Sequence, residues 1–508
     1  MLNRSQPVDL DADVIIVGYG PVGATLANLL SLRGVRTLVL EREADTYHLP
    51  RAVHFDDEIM RVFETVGLSG EIERGVRLSP GMRFVDKDGK LLLDWSRPPA
   101  TTPMGWPPSF RFHQPTLEEI LRGGLKRSPC VSVMARCEVF AIDEDADGVR
   151  VRFENLNSGR LLACRAGYVV GCDGARSLVR RFMGAGQDDL GFHERWLVLD
   201  FILGRPREDL GDYSVQFCDP VRPATYVRGV GDRRRWEIAL LADEDSQAMT
   251  APERIWPLLQ RWVTVDDGTI ERAAVYTFHS VVAERWRRDR LLLAGDSAHQ
   301  TPPFLGQGMC AGIRDAANLA WKLADVVSGH APDNLLDSYE RERSPHVREY
   351  IERAVRLGGI INTKNTREAL TALGRKGDET ITFNSAKPRL GPGLWASDDT
   401  LAGQLAPQPL LGTGARLDAA IGYEFALLAT RAFLQALSPG ARVAIQDQRL
   451  RIIDDPVLQD WLDANGTCAA IVRPDRYVLG TARSEEHLTE LLRLLPTDIA
   501  RSALARSS

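Results

Sequence analysis

Apolar, mostly β-branched positions run unbroken through Val14-Ile15-Ile16-Val17. They stop at Gly18-Tyr19-Gly20-Pro21-Val22-Gly23 and resume as Ala24-Thr25-Leu26-Ala27-Asn28-Leu29-Leu30, with small residues on one face. The pattern predicts a strand, a tight turn and a helix. A second apolar run, Arg36-Thr37-Leu38-Val39-Leu40, predicts another strand and ends in Glu41. Up to about Gly184 strand and helix signals alternate as in an α/β unit, with one antiparallel insertion; strands are expected at 149–153 and 168–170. From Arg195 to Ala283 longer strands take over, at 197–202, 213–217, 225–228 and 235–240, which predicts a largely antiparallel layer suited to wall an organic ligand. The α/β pattern returns at 290–294, and a long helix is expected after Gly308, running through 315–323. Residues 358–395 read as a helix end and connecting segment. A third unit begins near Leu401, with strands expected at 442–445, 468–475 and 477–479. The expected boundaries are 1–190, 191–283, 284–395 and 396–508.

Composition narrows the function. The 508 residues allow about two or three domains, and 44% hydrophobic with 26% charged residues is ordinary for a globular chain. A formal net charge of −6 without a basic tract argues against a nucleic-acid partner. Arg233-Arg234-Arg235 and Arg285-Trp286-Arg287-Arg288 are read as solvated structural charge. No signal core or membrane-length apolar run is present, so a cytoplasmic protein without a membrane partner is expected. The seven cysteines show no CxxC and no metal-ligand spacing, which points to a reduced compartment and no metal site.

Gly18 permits the turn, Gly20 lets a pyrophosphate approach the backbone, and Gly23 lets the helix pack on the strand. The helix N-terminus offers unpaired N–H groups to phosphate. Glu41 stands where the dinucleotide fold places an acid for ribose hydroxyls. Two further segments, Gly171-Cys172-Asp173-Gly174-Ala175-Arg176 and Leu293-Ala294-Gly295-Asp296 with Gly306-Gln307-Gly308, complete a set that points to bound FAD.

With these motifs in order, the chain resembles the FAD-dependent aromatic hydroxylases, single-component flavoprotein monooxygenases of the p-hydroxybenzoate hydroxylase fold. It is most similar to the branch with 3-(3-hydroxyphenyl)propionate hydroxylase and the larger phenol and polyketide hydroxylases. The resemblance implies an α/β architecture: a Rossmann-like FAD-binding domain, an antiparallel-sheet substrate domain and a C-terminal thioredoxin-like domain. It implies that Gly18, Gly20 and Gly23, with Pro21 and Val22, hold the pyrophosphate, and that Glu41, flanked by Arg42, holds the adenosine end. Arg51 would brace the cofactor, Gln114 contact the ribityl chain, Asp173-Gly174 serve FAD and the nicotinamide cofactor, and Asp296 bind a ribityl hydroxyl. Backbone N–H groups of Gly306, Gln307, Gly308 and Met309 would face the flavin pyrimidine ring. Many relatives have asparagine where Cys310 stands. Cys468 is the only cysteine after Cys310, so the C-terminal module is read as structural or as an oligomer contact, with a homodimer left open.

The implied reaction uses NAD(P)H as co-substrate, O2 and a small phenolic substrate, with oxygen transferred from a C4a-hydroperoxyflavin. His54 is the leading candidate for a base that shares the phenol proton, with Asp56 as its orienter. The other reading makes His54 a packing residue and Asp56 a helix cap. Tyr226 and Arg228, two apart on a strand and so on one face, are candidates for the substrate wall. An FAD-dependent dehydrogenase or oxidase without oxygen insertion, and a non-catalytic flavin-binding protein, are the alternatives. The Trp-x-Trp-x-Ile-Pro signature of flavin halogenases is absent.

Overall fold

The computed structural model describes residues 10–46, 51–361, 371, 381–382, 385, 387–448 and 450–496. Strand Ala12–Val17 lies between Thr37–Leu40 and Arg160–Gly171, parallel to both, with Val17 in register with Leu40 and Gly171. Leu291–Leu293 and Val131–Met134 extend this parallel sheet on either side. Val14, Ile15 and Ile16 have no exposed surface, because helices and loops cover both faces, and this is why the run is continuously apolar. All these strands end at one edge, so Gly18, Glu41, Cys172 and Ala294 follow on from neighbouring strand ends. The topology thus gathers motifs far apart in the chain at the place where α/β sheets bind ligands. The expected antiparallel insertion is the hairpin Cys137–Asp145 and Gly148–Asn155, which pairs onto Arg160–Gly171.

A second, nine-stranded and mostly antiparallel sheet is built on the long strands Gln187–Leu203 and Gly268–Ala283. It is not confined to 191–283, since Gly81–Asp86 and Leu91–Ser96 from the first segment and Ile381–Thr382 complete its edge. The reason is pairing: Gly81–Asp86 docks in parallel on Ser214–Cys218, a partner no local pattern discloses. Arg235 also departs from expectation. It is 3% exposed and bonded to Asp200 at 2.7 Å, a buried ion pair and not solvated charge. A small third sheet pairs His54–Asp56, Ser109–Arg111 and Arg77–Leu78.

After helix Asp337–Ile361, much of the expected connection 358–395 lies outside the described residues. The C-terminal unit has four strands in the order Arg451–Ile453, Ala426–Ala429, Ala469–Val472, Val478–Ala482. The expected strand at 442–445 is instead part of helix Pro439–Asp447. Ser438 caps it by accepting from the Ala441 N–H and Pro439 starts it, so end signals override the Val/Ile content. This unit is tied inward through buried charge. Lys322 and Arg473 both bind Glu342, at 2.6 and 2.8 Å, Arg473 also binds Asp475, and Arg61 binds Asp418 at 2.8 Å. Among the described residues no helix is long and apolar enough to cross a membrane.

Candidate functional site

The glycine turn has the geometry phosphate binding requires. Gly18 has φ +103°, and a Cβ there would stand 2.4 Å from the Cys172 carbonyl oxygen. A Cβ on Gly23 would meet the Gly18 carbonyl oxygen at 2.1 Å, so helix Pro21–Leu32 can lie this close to the strand only as glycine. Gly20 is different: a Cβ there would meet nothing within 4 Å. Its surroundings are open at a helix N-terminus with no side-chain cap, which leaves the N–H groups of Val22 and Gly23 for an anion. Glu41 accepts from the backbone N–H of Tyr19 at 2.6 Å and of Glu43 at 2.8 Å. It therefore pins the turn from the end of the neighbouring strand. Arg42 is exposed and paired with Glu43.

At the other strand ends, Asp173 is a brace. One oxygen accepts from the N–H groups of Leu178 and Val179, and the other accepts from Ser297 Oγ at 3.0 Å. Gly174 donates its N–H to the same Ser297 oxygen at 3.1 Å. These bonds join the Asp173 turn to the loop that carries Asp296. Asp296 itself is open to solvent and makes no hydrogen bond among the described residues. Protein crowded around the carboxyl raises its pKa, opposed by the charges of His299 and Arg51. An unpartnered carboxylate beside the phosphate turn fits a polyol hydroxyl donor. The loop is held from beneath by Asp315, which accepts from the Gly295 N–H at 3.1 Å and binds His299 at 2.6 Å.

Gln114 accepts from the backbone N–H groups of Arg51 and Ala52, both at 2.8 Å, and donates to Glu118. Its carbonyl oxygen is spent on fixing the Arg51 segment, so the glutamine positions Arg51. The Arg51 side chain is exposed at this edge. Helix Gly308–Val327 starts with no side-chain cap at Gln307, and a Cβ on Gly308 would meet nothing within 4 Å. Gly306, at φ +63°, makes the turn into it. The Gln307 side chain bridges Asp56 and Arg314, and Met309 is half-buried. Backbone N–H groups at this helix end can therefore meet the electron-rich edge of a ring system. Cys310 is sealed, its thiol directed at the carbonyls of His54 and Gly306.

His54 is buried, with Nε2 2.6 Å from Arg97 Nη1 and 2.9 Å from Ser109 Oγ, and Nδ1 3.4 Å from the Gly306 carbonyl. A guanidinium can only donate, so Nε2 is the acceptor and Nδ1 carries the proton. Burial and then the Arg97 and Arg111 charges hold its pKa well below the usual value. The lone pair that a phenol proton would need is in use, which corrects the base assignment. Asp56 is the helix cap, accepting from the Ile59 N–H and pairing with Arg314. It does not orient His54, because no hydrogen bond joins them. Tyr226 and Arg228 do share a face, but the outer one: Tyr226 packs on Trp236 in the cluster with Ile255 and Leu259 of helix Pro252–Leu259. The inner face carries Ser214, which binds Arg111, and Arg235, which donates to the Arg51 carbonyl at 2.7 Å. Arg97, Arg111 and Arg314 were not singled out from the sequence. Arg111 adjoins the segment of Gln114, whereas Arg97 has no local signal.

The strand-end cleft, the open phosphate turn and the free Asp296 define an FAD-dependent oxidoreductase. A family model described as FAD binding domain matches residues 11–354. The chain is 38% identical over 96% of its length to a probable NADH-specific resorcinol 4-hydroxylase of Rhodococcus jostii (strain RHA1), covering 95% of that protein. It is 36% identical over 96% of its length to a 3-(3-hydroxy-phenyl)propionate/3-hydroxycinnamic acid hydroxylase of Mycobacterium sp. (strain JLS), covering 92% of it. The solved flavin-dependent monooxygenase PieE, in complex with FAD and substrate, superimposes with a TM-score of 0.82 over 96% of this chain and 99% of PieE at 23% identity, a likeness of fold. The chain belongs to the FAD-dependent aromatic hydroxylases.

Proposed function

We propose that this chain hydroxylates the ring of a small phenolic substrate, taking electrons from NAD(P)H and one oxygen atom from O2. The observation that carries the reading is the pairing of the unpartnered Asp296 and the uncapped start of Gly308–Val327 with a polar inner sheet face reached from Arg51. Bound FAD would supply hydride acceptance and activation of O2. The chain's own residues do the rest. Gly20 and the N–H groups of Val22 and Gly23 hold the phosphates, Glu41 keeps the turn in shape and faces the ribose, and Asp296 accepts from the ribityl chain. The helix start at Gly308 favours negative charge on the ring system. Arg51 is held against the cofactor by Gln114 and Arg235. His54 is a positioning residue that fixes Arg97, and the nine-stranded sheet closes the substrate side against water.

The strand order of the C-terminal unit, with its first two strands parallel and its last two antiparallel, supports a thioredoxin-like module. Without a second cysteine beside Cys468 it would serve as structure. The test is a panel of phenolic acids, alkylphenols and dihydroxybenzenes. Phenol-stimulated NAD(P)H oxidation with a product one oxygen heavier supports the reading, and oxidation that yields only hydrogen peroxide with every phenol overturns it.

A further inference from the structure

Two buried guanidiniums between the small sheet and the nine-stranded sheet have no acidic hydrogen-bond or ion-pair partner among the described residues. Among the described residues, the Arg97 side chain bonds only to His54 Nε2 and Ser109 Oγ, and it stacks on Trp95 at 4.1 Å. Among the described residues, the Arg111 side chain bonds only to Ser214 Oγ, at 2.8 Å. Each has a buried Nε without a hydrogen-bond partner. Neither is in a salt bridge among the described residues, whereas the more deeply buried Arg61, Arg235, Arg314, Arg343 and Arg473 are all paired with carboxylates. Arg97 and Arg111 are also close enough for one charge to disfavour the other, and burial with this repulsion brings Arg111 down to about 9. They are not sealed, since 8% and 9% of their surfaces stay accessible. Two unpaired cations held together in a low-dielectric site are costly unless an anion joins them.

We propose that Arg97 and Arg111 form an anion subsite of the substrate pocket that receives a carboxylate carried by the aromatic substrate, so that phenolic acids are preferred over neutral phenols. This deepens the hydroxylase reading and rests on it for the location of the pocket. Planar guanidinium forks match a carboxylate bidentately. Position favours a substituent of the substrate over its reacting ring. The His54 imidazole turns Nδ1 to Gly306 on the helix-start loop and Nε2 to Arg97, so Arg97 lies one ring's width beyond that loop.

The test uses the FAD-loaded enzyme and reads binding from perturbation of the flavin spectrum and from calorimetry, without turnover. The probes are 3-(3-hydroxyphenyl)propionate, its methyl ester and resorcinol. The acid is expected to bind at least about tenfold more tightly than the ester, equivalent to about 1.4 kcal/mol. Arg111→Gln should erase that preference while leaving ester affinity and FAD content unchanged, and Arg111→Lys should keep part of it. If Arg111→Gln loses FAD, Arg97→Gln takes its place. Equal binding of acid and ester, or equal losses for both in the variants, overturns the proposal. Preference for resorcinol that grows as its hydroxyl ionises would assign the guanidiniums to a phenolate and also overturn it. An enzyme that prefers the acid yet forms no hydroxylated product keeps the subsite and loses the hydroxylase reading; product formation without the preference does the reverse.

Discussion

Arg314 clasps Asp56: Nη2 of the helix residue lies 2.5 Å from the carboxylate that caps the segment after His54. The same guanidinium reaches Glu58 through Nε at 2.5 Å. One side chain thus locks the helix that starts at the proposed flavin edge to the strand that carries His54. Arg314→Met should destabilise the protein by about 3–5 kcal/mol, because two buried carboxylates lose their counter-charge. Urea unfolding checks this, and a loss below about 1 kcal/mol would show that the carboxylates find other partners.

Asp296→Ala should weaken FAD binding by about 1.5–3 kcal/mol, the value of a hydrogen bond to a charged group. Fluorescence titration of the apoprotein with FAD measures it. Since Asp296 bonds to no described residue, thermal stability without FAD should stay at wild type.

The glycines of the turn should separate by phenotype. Gly20→Val, with open space around its Cβ, should fold normally and fail to retain FAD. Gly23→Ala puts a methyl 2.1 Å from a backbone oxygen, so it should lose soluble protein as well. Circular dichroism alongside flavin content distinguishes the two, and equal folding defects would refute the assignment of Gly20 to the ligand.

His54→Gln keeps an acceptor for Arg97 and should retain most turnover, with the pH profile of kcat unchanged near neutrality. His54→Leu removes the acceptor and should raise KM with little change in FAD content. A loss of the basic or acidic limb of the profile in His54→Gln would restore the histidine as a proton acceptor.

Acid should undo the buried pairs. Burial pushes Asp56, Glu342 and Asp418 up, but Arg314 for Asp56, Arg473 with Lys322 for Glu342, and Arg476 with Arg61 for Asp418 outweigh it and hold all three below the ordinary range. A depressed folded-state pKa contributes stability that is complete above the unfolded value, about 4, and is lost as pH falls through the folded value. The urea midpoint should therefore drop as pH goes from about 5 toward 3. Glu342→Gln should flatten that slope, and an unchanged slope would exclude Glu342 from the linkage.

The strand, glycine turn and helix around Gly18–Gly23, and the strand that ends at Glu41, were legible because each is set by a local rule: a strand end, a tight turn, a helix start. Tyr226 and Arg228 show where such rules stop. Alternation puts them on one face, but which face meets the flavin domain depends on what packs against the sheet, here helix Pro252–Leu259. Residues 442–445 are helical because the Ser438-Pro439 start signal outweighs the β-branched Val443 and Ile445. Arg97 and His54 are apart in the chain and meet only after Leu91–Ser96 joins the large sheet and His54–Asp56 pairs with Ser109–Arg111. No spacing in the sequence encodes that meeting.

Glu342 and Lys322 acquire Arg473, and Glu58 acquires the Tyr477 hydroxyl at 2.9 Å, from the far end of the chain. During synthesis Glu342 therefore has Lys322 and Glu58 has Arg314, but neither gains its second partner until residues 473–477 emerge. The innermost charge cluster of the cofactor domain is thus completed last, by the end of the chain. A ribosome stall placed between Ile361 and Ala469 should hold the nascent chain in a protease-sensitive state unable to take up FAD.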